Sequence, residues 1–292
     1  TQRFKTLLQG NVDAIYFNEK LYIGKREEVF VYNESTGNFD LFYHLAGKNI
    51  TLSCLHLDKN KNLWMGTTSN GIYCLSEDKS LSRPVTKGNI TSIYEDSSNE
   101  LWIGSWEEGL YRVKTDGNIE NLRHNPMNTN SLCSNFVRSC CEDNSGDLWI
   151  GTFNGLNRYD RETGKFHLYT ANGNSPDGLT HSSIWCIVKD GQGTIWLGTY
   201  FGGVNYFNPE YEIYTRYKVG DTEKAGLSSP IVGRMTEDKD GNLWICTEGG
   251  GVNVYDRINN TYRWYRHEEG RNSISHNNVK AIYYDRANEI MW

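Results

Sequence analysis

Two kinds of position along the chain of 292 residues carry side chains suited to binding a ligand. Short turns that follow a recurring Leu-Trp-Ile-Gly phrase carry aromatic residues, Asn and Glu, and several apolar segments begin with Trp, Arg or Lys. Aromatic rings can stack on the apolar faces of sugar rings, whereas Arg and Lys form charge-assisted hydrogen bonds with carboxylates. The predicted binding set is Trp106, Arg138, Phe153, Asn154, Trp185, Tyr200, Phe201, Arg234, Glu248 and Lys280.

Motifs typical of catalytic and metal sites are missing from the sequence. It contains no G-x-S-x-G, H-E-x-x-H or P-loop phrase and no Cys-x-x-Cys pair. Carboxylates are abundant in turns, but no pair of them recurs. Predicted loops hold four of the seven histidines, and solvated side chains are more common there than metal ligands: His124, His181, His267 and His276. We therefore predict no catalytic residue, no metal site and no cofactor in this segment.

The overall charge and composition exclude several classes of protein. With 30 Lys and Arg against 36 Asp and Glu, the formal net charge is −6, which argues against a nucleic-acid-binding surface. No apolar run reaches the roughly 18 to 20 residues that a transmembrane helix needs. Hydrophobic residues make up 37% and aromatic residues 13%, which is too apolar for a disordered chain.

The elements that must position the binding set are repeats. The Leu-Trp-Ile-Gly phrase recurs at intervals of 38 to 48 residues, and each copy is followed by a tight turn. Its copies are Leu21–Gly24, Leu63–Gly66, Leu101–Gly104, Leu148–Gly151, Ile195–Gly198, Leu243–Cys246 and a truncated Ile290–Trp292. Each unit divides into four short apolar segments separated by turns that are rich in Asp, Asn and Gly, and no segment shows a helical pattern.

Four-stranded units with this period predict an all-β fold, namely a β-propeller. We expect six complete blades plus the start of a seventh, of the seven-bladed type, forming a single domain over residues 1–292. Because the seventh unit stops inside its second strand, Phe4–Leu8 are expected to supply the outer strand of the last blade.

An Asp lies six residues before the Trp of five repeats, at Asp58, Asp96, Asp143, Asp190 and Asp238. We predict that it orders the turn between the first and second strands, that the Trp packs between blades, and that the Gly permits close approach of neighbouring chains. A calcium loop is not expected, because the residues after the Asp vary freely and calcium needs oxygen ligands at fixed offsets.

One edge of the predicted propeller is elaborated. Four longer loops join a fourth strand to the next first strand, and they share this edge with the turns between strands two and three. The loops are His124–Asn135, Thr170–Ser183, Tyr217–Pro230 and Arg266–Asn277.

The first strands contain a variable column at this edge, five residues before the Asp: Ser53, Thr91, Arg138, Trp185, Gly233 and Lys280. Two residues further on, a uniformly apolar or sulfur-containing column is expected to be core. The large and charged members, with Arg234 close by, would lie near the central mouth of the propeller. They would either bind a ligand or line a hydrated polar channel.

The seven cysteines leave at least one thiol unpaired. Cys54 and Cys74 would flank the second strand of one blade, about 10 Å apart and beyond the roughly 7 Å limit for a disulfide. We expect most of the cysteines to be small buried hydrophobic residues.

The stretch from Asp143 through Leu148-Trp149-Ile150-Gly151-Thr152 to Gly155-Leu156 and Tyr159-Asp160 resembles the two-component regulator propeller repeat. In that family, tandem propellers form the extracytoplasmic sensor of membrane-bound, often hybrid, histidine kinases. The resemblance implies that this chain is the periplasmic sensor part of an inner-membrane receptor. It also implies further propeller and β-sandwich domains, a homodimeric receptor, and a kinase elsewhere in the receptor. Unit one departs from the pattern with Tyr22 in place of Trp, and unit six with Cys246 in place of Gly.

Three functions stay open at this point. The first is a sensor that binds glycan-derived oligosaccharides through the predicted binding set and signals to transcription. The second is a propeller enzyme, such as a lyase or hydrolase, and the third is a scaffold for protein contacts. The absence of a recurring titratable pair favours binding over catalysis, but the fold alone does not decide between them.

Overall fold

The computed structural model describes residues 4–8, 12–46, 49–171, 178–208, 213–217, 219–220 and 226–292. These ranges consist of strands, turns and coil without a helix, so the all-β prediction is confirmed. Accordingly, none of these ranges contains a helix long and apolar enough to cross a membrane.

Six four-stranded antiparallel sheets follow one another along the chain, and in each sheet the strands are hydrogen-bonded in chain order. These are the blades of the predicted β-propeller. Blade one comprises β1 (Ala14–Asn18), β2 (Lys20–Lys25), β3 (Glu28–Asn33) and β4 (Asn38–His44). Blade two comprises β5 (Leu52–Leu57), β6 (Leu63–Thr67), β7 (Ile72–Leu75) and β8 (Leu81–Val85). Blade three comprises β9 (Asn89–Glu95), β10 (Leu101–Trp106), β11 (Leu110–Val113) and β12 (Ile119–Leu122).

The later blades repeat this order. Blade four comprises β13 (Val137–Glu142), β14 (Leu148–Thr152), β15 (Gly155–Asp160) and β16 (Lys165–Tyr169). Blade five comprises β17 (Ile184–Lys189), β18 (Ile195–Thr199), β19 (Val204–Asn208) and β20 (Ile213–Tyr217). Blade six comprises β21 (Val232–Glu237), β22 (Leu243–Thr247), β23 (Gly251–Asp256) and β24 (Thr261–Tyr265).

The chain divides into two compact units. The N-terminal unit is Leu7–Cys140, and the C-terminal unit is Cys141–Trp292 together with Thr1–Thr6. Each unit has its own buried clusters, built from the apolar first and second strands of adjacent blades. The single domain over residues 1–292 stays a prediction.

Trp residues of the repeat pack between adjacent blades, as predicted. In the N-terminal unit, Trp64 of blade two lies in one buried cluster with Ile103 and Tyr111 of blade three. In the C-terminal unit, Trp149 of blade four contacts Phe207 of blade five, with ring centroids 5.1 Å apart. A large apolar ring fills the space between two sheets, and this packing contributes to the attraction between neighbouring blades.

The Asp of each repeat has the predicted structural role. In blade three, Asp96 Oδ1 accepts the backbone N–H groups of Ser98 and Glu100 at 2.8 and 3.0 Å. Its second oxygen accepts the indole N–H of Trp102 at 2.6 Å. Equivalent indole bonds of 2.7 to 2.8 Å occur at Asp58, Asp143, Asp190 and Asp238. The Asp therefore ties the turn to the Trp whose polar N–H would otherwise be buried without a partner.

The Gly of the repeat permits close packing. A Cβ atom at Gly198 would lie 2.6 Å from both Cys186 Sγ and Val232 Cγ1, which leaves no room for any other residue. Blade six exchanges the sizes of the two facing residues. Cys246 replaces the Gly on β22, and Gly233 lies opposite it on β21. A Cβ atom added to Gly233 would lie 3.6 Å from the Cβ atom of Cys246.

The cysteines are all free thiols, and six of the seven are buried. Cys54 and Cys74 are opposite Gly66 and Trp64, on either side of β6, and form no disulfide, as predicted. In the apolar column of the first strands, Leu55, Cys140, Ile187, Met235 and Ile282 are buried as expected, whereas Ile93 is only half-buried and packs against the edge of a buried cluster.

The seventh unit forms only a two-stranded sheet, β25 (Tyr284–Asp285) and β26 (Ile290–Met291). Trp292 continues this ladder through two backbone hydrogen bonds with Tyr283. No strand of this sheet lies opposite the residues before Tyr283, so the predicted first strand around Lys280 is not formed, and Lys280 is exposed coil.

The prediction that Phe4–Leu8 form an outer strand was wrong, because these residues are coil. Phe4 instead binds blade six. Its ring meets Tyr265 edge-on at 5.7 Å, and the Asn272 side chain exchanges two 2.9 Å hydrogen bonds with its backbone N–H and carbonyl. A side-chain amide thus satisfies the backbone groups that a strand partner would have paired.

Candidate functional site

A β-bulge in the first strands produces the variable column. In β5, Leu52 pairs with Thr67 and Cys54 with Gly66, so Ser53 is an extra residue. Thr91 in β9 and Trp185 in β17 are extra residues in the same way, and in β21 Gly233 and Arg234 together lie opposite Cys246. A bulge interrupts the alternation of a strand and redirects one side chain, and bulges are over-represented beside active sites.

The small members of this column serve the fold. Ser53 Oγ donates a hydrogen bond to the carbonyl of Ile90, and Thr91 Oγ1 donates one to the carbonyl of Val137 at 2.6 Å. Each bond joins the first strand of one blade to that of the next. Arg138 and Trp185 occupy the same repeat position and contact aromatic rings instead. The change from a hydroxyl to a large side chain therefore replaces an interblade hydrogen bond with a candidate binding group.

In the N-terminal unit, Arg138 lies over the ring of Trp106, with its Cζ atom 5.1 Å from the ring centroid. Phe136 meets the same indole edge-on at 4.9 Å and forms a backbone bridge with Trp106. This arrangement is a cation–π contact on a braced ring, which holds the guanidinium in one orientation. We call these two residues the Trp106–Arg138 pair.

In the C-terminal unit, three predicted side chains meet. Trp185 stacks on Tyr200 with centroids 5.0 Å apart and an interplanar angle of 12°, and Phe201 packs edge-on against Tyr200 at 4.4 Å. Phe201 is 56% exposed, whereas Trp185 and Tyr200 are half-buried. We call Trp185, Tyr200 and Phe201 the aromatic platform.

The turn that carries the platform is held by backbone and hydroxyl groups. The buried Thr199 hydroxyl donates to the carbonyl of Gly203 at 2.8 Å and accepts the N–H of Gly202 at 2.9 Å. The N–H of Tyr200 donates to the carbonyl of Ser183 at 3.1 Å, which ties the turn to the residue just before β17. The same Thr bond recurs at Thr67, Thr152 and Thr247. The platform therefore sits on a rigid turn.

The long loops are anchored by a residue that the sequence analysis missed. In β19 the buried Asn205 side chain accepts the N–H of Thr180 at 2.8 Å and donates to its hydroxyl at 2.6 Å. Asn253 in β23 holds Ser228 in the same way. Asn follows Gly-Leu or Gly-Val only in the third strands of blades four to six, which was the signal available. Of the predicted loops, residues 172–177, 218 and 221–225 lie outside the described residues.

The loop histidines also have defined contacts. A backbone carbonyl bonds to Nδ1 of His124, and another to Nδ1 of His267. His181 Nδ1 accepts the N–H of Ser183 at 3.0 Å, and His276 Nδ1 accepts that of Asn278 at 2.9 Å. In the described part of the chain no group of three or more His, Cys, Asp and Glu side chains could hold a metal ion.

The other predicted residues have separate positions. Phe153 and Asn154 are exposed in the turn of blade four. Glu248, in the turn of blade six, accepts a hydrogen bond from Ser229 Oγ through its carbonyl at 2.7 Å. Burial raises the pKa of Cys186 to about 12 and also raises that of Cys246, and the charge of Arg234 opposes both shifts. The aromatic platform can stack on flat apolar surfaces, and the Trp106–Arg138 pair can donate hydrogen bonds, so each of them suits binding.

Sequence comparison identifies repeats of one family in this chain. The model of the two-component regulator propeller matches residues 84–107, 131–154, 178–201 and 226–249. Each match runs through a first strand to the turn after the second strand, so the four contain every predicted site residue except Lys280. No curated protein matches the chain in sequence.

Solved structures share the fold. A streptogramin B lyase is 15% identical, with a TM-score of 0.72 over 96% of this chain and 89% of that one. A catalytically inactive virginiamycin B lyase from Staphylococcus aureus with quinupristin is 16% identical, with a TM-score of 0.72 over 94% and 89%. At these identities the likeness shows the fold alone.

A further similar structure is the extracellular domain of a protein described as a hybrid two-component system of B. thetaiotaomicron. It is 25% identical, with a TM-score of 0.45, and the match covers 94% of this chain and 40% of that one. On the sequence matches, this chain contains four two-component regulator propeller repeats.

Proposed function

We propose that this chain is the ligand-sensing propeller of a membrane-bound two-component sensor histidine kinase, and that its ligands are oligosaccharides derived from glycans. The segment would bind without catalysis, and the kinase would lie elsewhere in the receptor. The family repeats support the sensor role. The aromatic platform is the observation that carries the ligand class.

The platform suits a sugar because its rings are already assembled. Trp185 and Tyr200 stack on each other, and Tyr200 also contacts Phe201, so few rotamers remain to be ordered when a ligand arrives. Binding then costs less conformational entropy than it would with separate side chains. An exposed ring such as Phe201 offers an apolar face, and the neighbouring turn offers polar groups for hydroxyls.

The Trp106–Arg138 pair supports a preference for acidic sugars. The guanidinium of Arg138 is held over the ring of Trp106, and a guanidinium forms charge-assisted hydrogen bonds with carboxylates and sulfates. Arg234 and Lys280 would add positive charge, and Asn154 and Glu248 would contact hydroxyls. We therefore expect carboxylated or sulfated oligosaccharides to bind more tightly than neutral ones.

Signalling requires the ligand to prefer one arrangement of the receptor, because equal affinity for two states shifts neither population. We propose an extracytoplasmic, periplasmic location within an inner-membrane receptor. The partners would be further propeller and β-sandwich domains of the same receptor and a second protomer. The largely buried thiols suit an oxidising compartment, since burial limits access to oxidants.

The ligand class can be tested on this chain by a thermal-shift screen with neutral, carboxylated and sulfated oligosaccharides. A ligand present at 100 times its Kd should stabilise the fold by about 2.7 kcal/mol. Calorimetry with the best oligosaccharide should then show at least about tenfold weaker binding for Trp185→Ala, or about 1.4 kcal/mol. Arg138→Gln should weaken the binding of acidic oligosaccharides and leave the affinity for neutral ones unchanged.

A matched control is Phe39→Ala, which removes a ring that contacts Tyr32 in blade one at 5.2 Å and lies outside the predicted set. It should leave the affinity unchanged. If folded Trp185→Ala binds as tightly as the parent, the platform is not the binding site. If none of the oligosaccharides stabilises the chain, the proposed ligand class is wrong.

A further inference from the structure

His181 occupies a position that the fold fills in two ways. Three residues before the first residue of β13, Ser134 Oγ accepts the N–H of Phe136 at 3.2 Å. In blade six, Ser229 Oγ accepts the N–H of Ile231 at 3.4 Å. In blade five the acceptor is the ring nitrogen Nδ1 of His181, bonded to the N–H of Ser183 at 3.0 Å. A serine hydroxyl is therefore sufficient to accept this backbone N–H, and the imidazole of His181 has a second ring nitrogen that the turn does not use.

The imidazole lies against the aromatic platform. Its ring centroid is 6.4 Å from that of Phe201, at an interplanar angle of 61°. The backbone on both sides is fixed, because Thr180 is bonded to Asn205 and the carbonyl of Ser183 accepts the N–H of Tyr200. His181 is thus a fourth ring on the same rigid support.

The hydrogen bond at Nδ1 determines what the other nitrogen can do. A ring nitrogen that accepts a backbone N–H carries no proton, so in neutral His181 the proton is on Nε2, which is a donor. Nδ1 is committed to the turn, and Nε2 is the polar group that the ring can offer to a ligand beside Phe201.

We propose that His181 is a ligand-binding residue of the platform, donating a hydrogen bond from Nε2 to a hydroxyl oxygen of a sugar that contacts Phe201. This inference rests on the proposed function and adds a polar contact to it. A ligand with ring oxygens or hydroxyls next to an apolar face satisfies both groups at once, whereas a purely apolar ligand would leave Nε2 without an acceptor.

The test uses His181→Ser, which places at this position the residue that blades four and six carry there. The probes are cellohexaose, xylohexaose and trigalacturonate, and calorimetry measures the Kd of any that bind. We expect an unchanged melting temperature and an affinity about five- to tenfold weaker than that of the parent. His276→Ser, which changes the equivalent cap of the seventh unit, should match the parent in both.

The outcomes separate this inference from the proposed function. If Trp185→Ala and Phe201→Ala lose affinity while His181→Ser keeps the parental affinity, the platform binds the sugar and the role of His181 is overturned. Nitrogen chemical shifts that place the proton of neutral His181 on Nδ1 would also overturn it. If no probe binds the parent, the proposed ligand class fails, and the inference fails with it.

Discussion

At the scale of single residues, the Asp of each repeat joins a turn to a buried ring. Asp96 is almost completely buried and accepts three hydrogen bonds, two from the turn and one from Trp102. Removing a carboxylate from such a position leaves several buried donors without an acceptor, and each such donor costs about 1–3 kcal/mol.

We therefore expect Asp96→Ala to lower the free energy of unfolding by roughly 2–4 kcal/mol, measured by urea denaturation. Asp116→Ala is the matched control, because Asp116 orders an exposed hairpin turn through the N–H of Asn118 at 2.9 Å. That control should cost about 1 kcal/mol or less. Equal losses for the two variants would contradict a special role for the repeat Asp.

A second residue-scale prediction concerns His56, whose Nε2 atom lies 3.3 Å from Glu95 Oε2 beside the ring of Tyr16. Burial lowers the pKa of His56, and Glu95 and Asp58 oppose that shift. The unfolded state then binds a proton at a higher pH than the folded state does. Stability is therefore present above the unfolded pKa, near 6.5, and is lost as the pH falls below it.

Urea denaturation at several pH values between about 8 and about 5 measures this dependence. His56→Gln should remove part of the slope, by at most about 1.4 kcal/mol per pH unit. His44→Gln is the control, because His44 is exposed and its contact with Glu28 is 3.6 Å long. An unchanged slope in His56→Gln would show that this pair does not contribute to acid sensitivity.

At the scale of elements, two facing residues on the first and second strands of a blade must fit into a limited space between them. In blade five a large Cys186 faces Gly198, and in blade six Gly233 faces Cys246. Each blade thus holds one small and one larger residue at this contact. The pairing explains how Cys246 is tolerated where other repeats carry Gly.

Gly198→Ala should therefore destabilise the protein by about 1–3 kcal/mol, because its Cβ would overlap Cys186 Sγ and Val232 Cγ1. Adding Cys186→Gly should restore part of the loss by removing one of the two clashes, and thermal denaturation of the single and double variants measures the effect. The comparison substitution is Gly117→Ala, where no atom lies within 4 Å of the new Cβ but φ is +83°. Additive losses in the double variant would exclude the exchange of sizes as the explanation.

At the scale of the whole molecule, the reactivity of the seven thiols tests whether the cores of the blades exclude solvent. Six are buried and Cys133 is half-buried. Burial raises the pKa of Cys74 to about 11 and that of Cys141 to about 12. Raised thiol pKa values favour the folded state below the unfolded value of about 8.5, and this contribution is lost as the pH rises above it.

Alkylation with iodoacetamide at about pH 8, followed by mass spectrometry, should modify Cys133 first and leave the other six thiols largely unreacted until the protein unfolds. Urea should expose all seven together if unfolding is cooperative. Rapid native modification of Cys54 or Cys186 would contradict the buried positions that the structure assigns to them.

The sequence by itself determined the blades. The Asp-to-Trp spacing, the alternation within strands and the Gly turns all act over fewer than about ten residues, so one repeat specifies one blade without reference to the others. For the same reason the roles of the Asp and the close-packed Gly, and the absence of a disulfide between Cys54 and Cys74, could be predicted. The coil conformation of Phe4–Leu8 was not predictable in this way, because Phe4 is hydrogen-bonded to Asn272 near the other end of the chain.

Only the tertiary structure decided which of the candidate side chains lie together. Trp185 and Tyr200 were both candidates, but their stacking depends on the bulge that displaces Trp185 and on the bond from Tyr200 to Ser183. His181 looked like a solvated loop residue in the sequence and became a candidate binding group only through its contacts with Ser183 and Phe201. Strand register and loop conformation set these distances through contacts between separate segments, and such contacts leave no periodic pattern in the sequence.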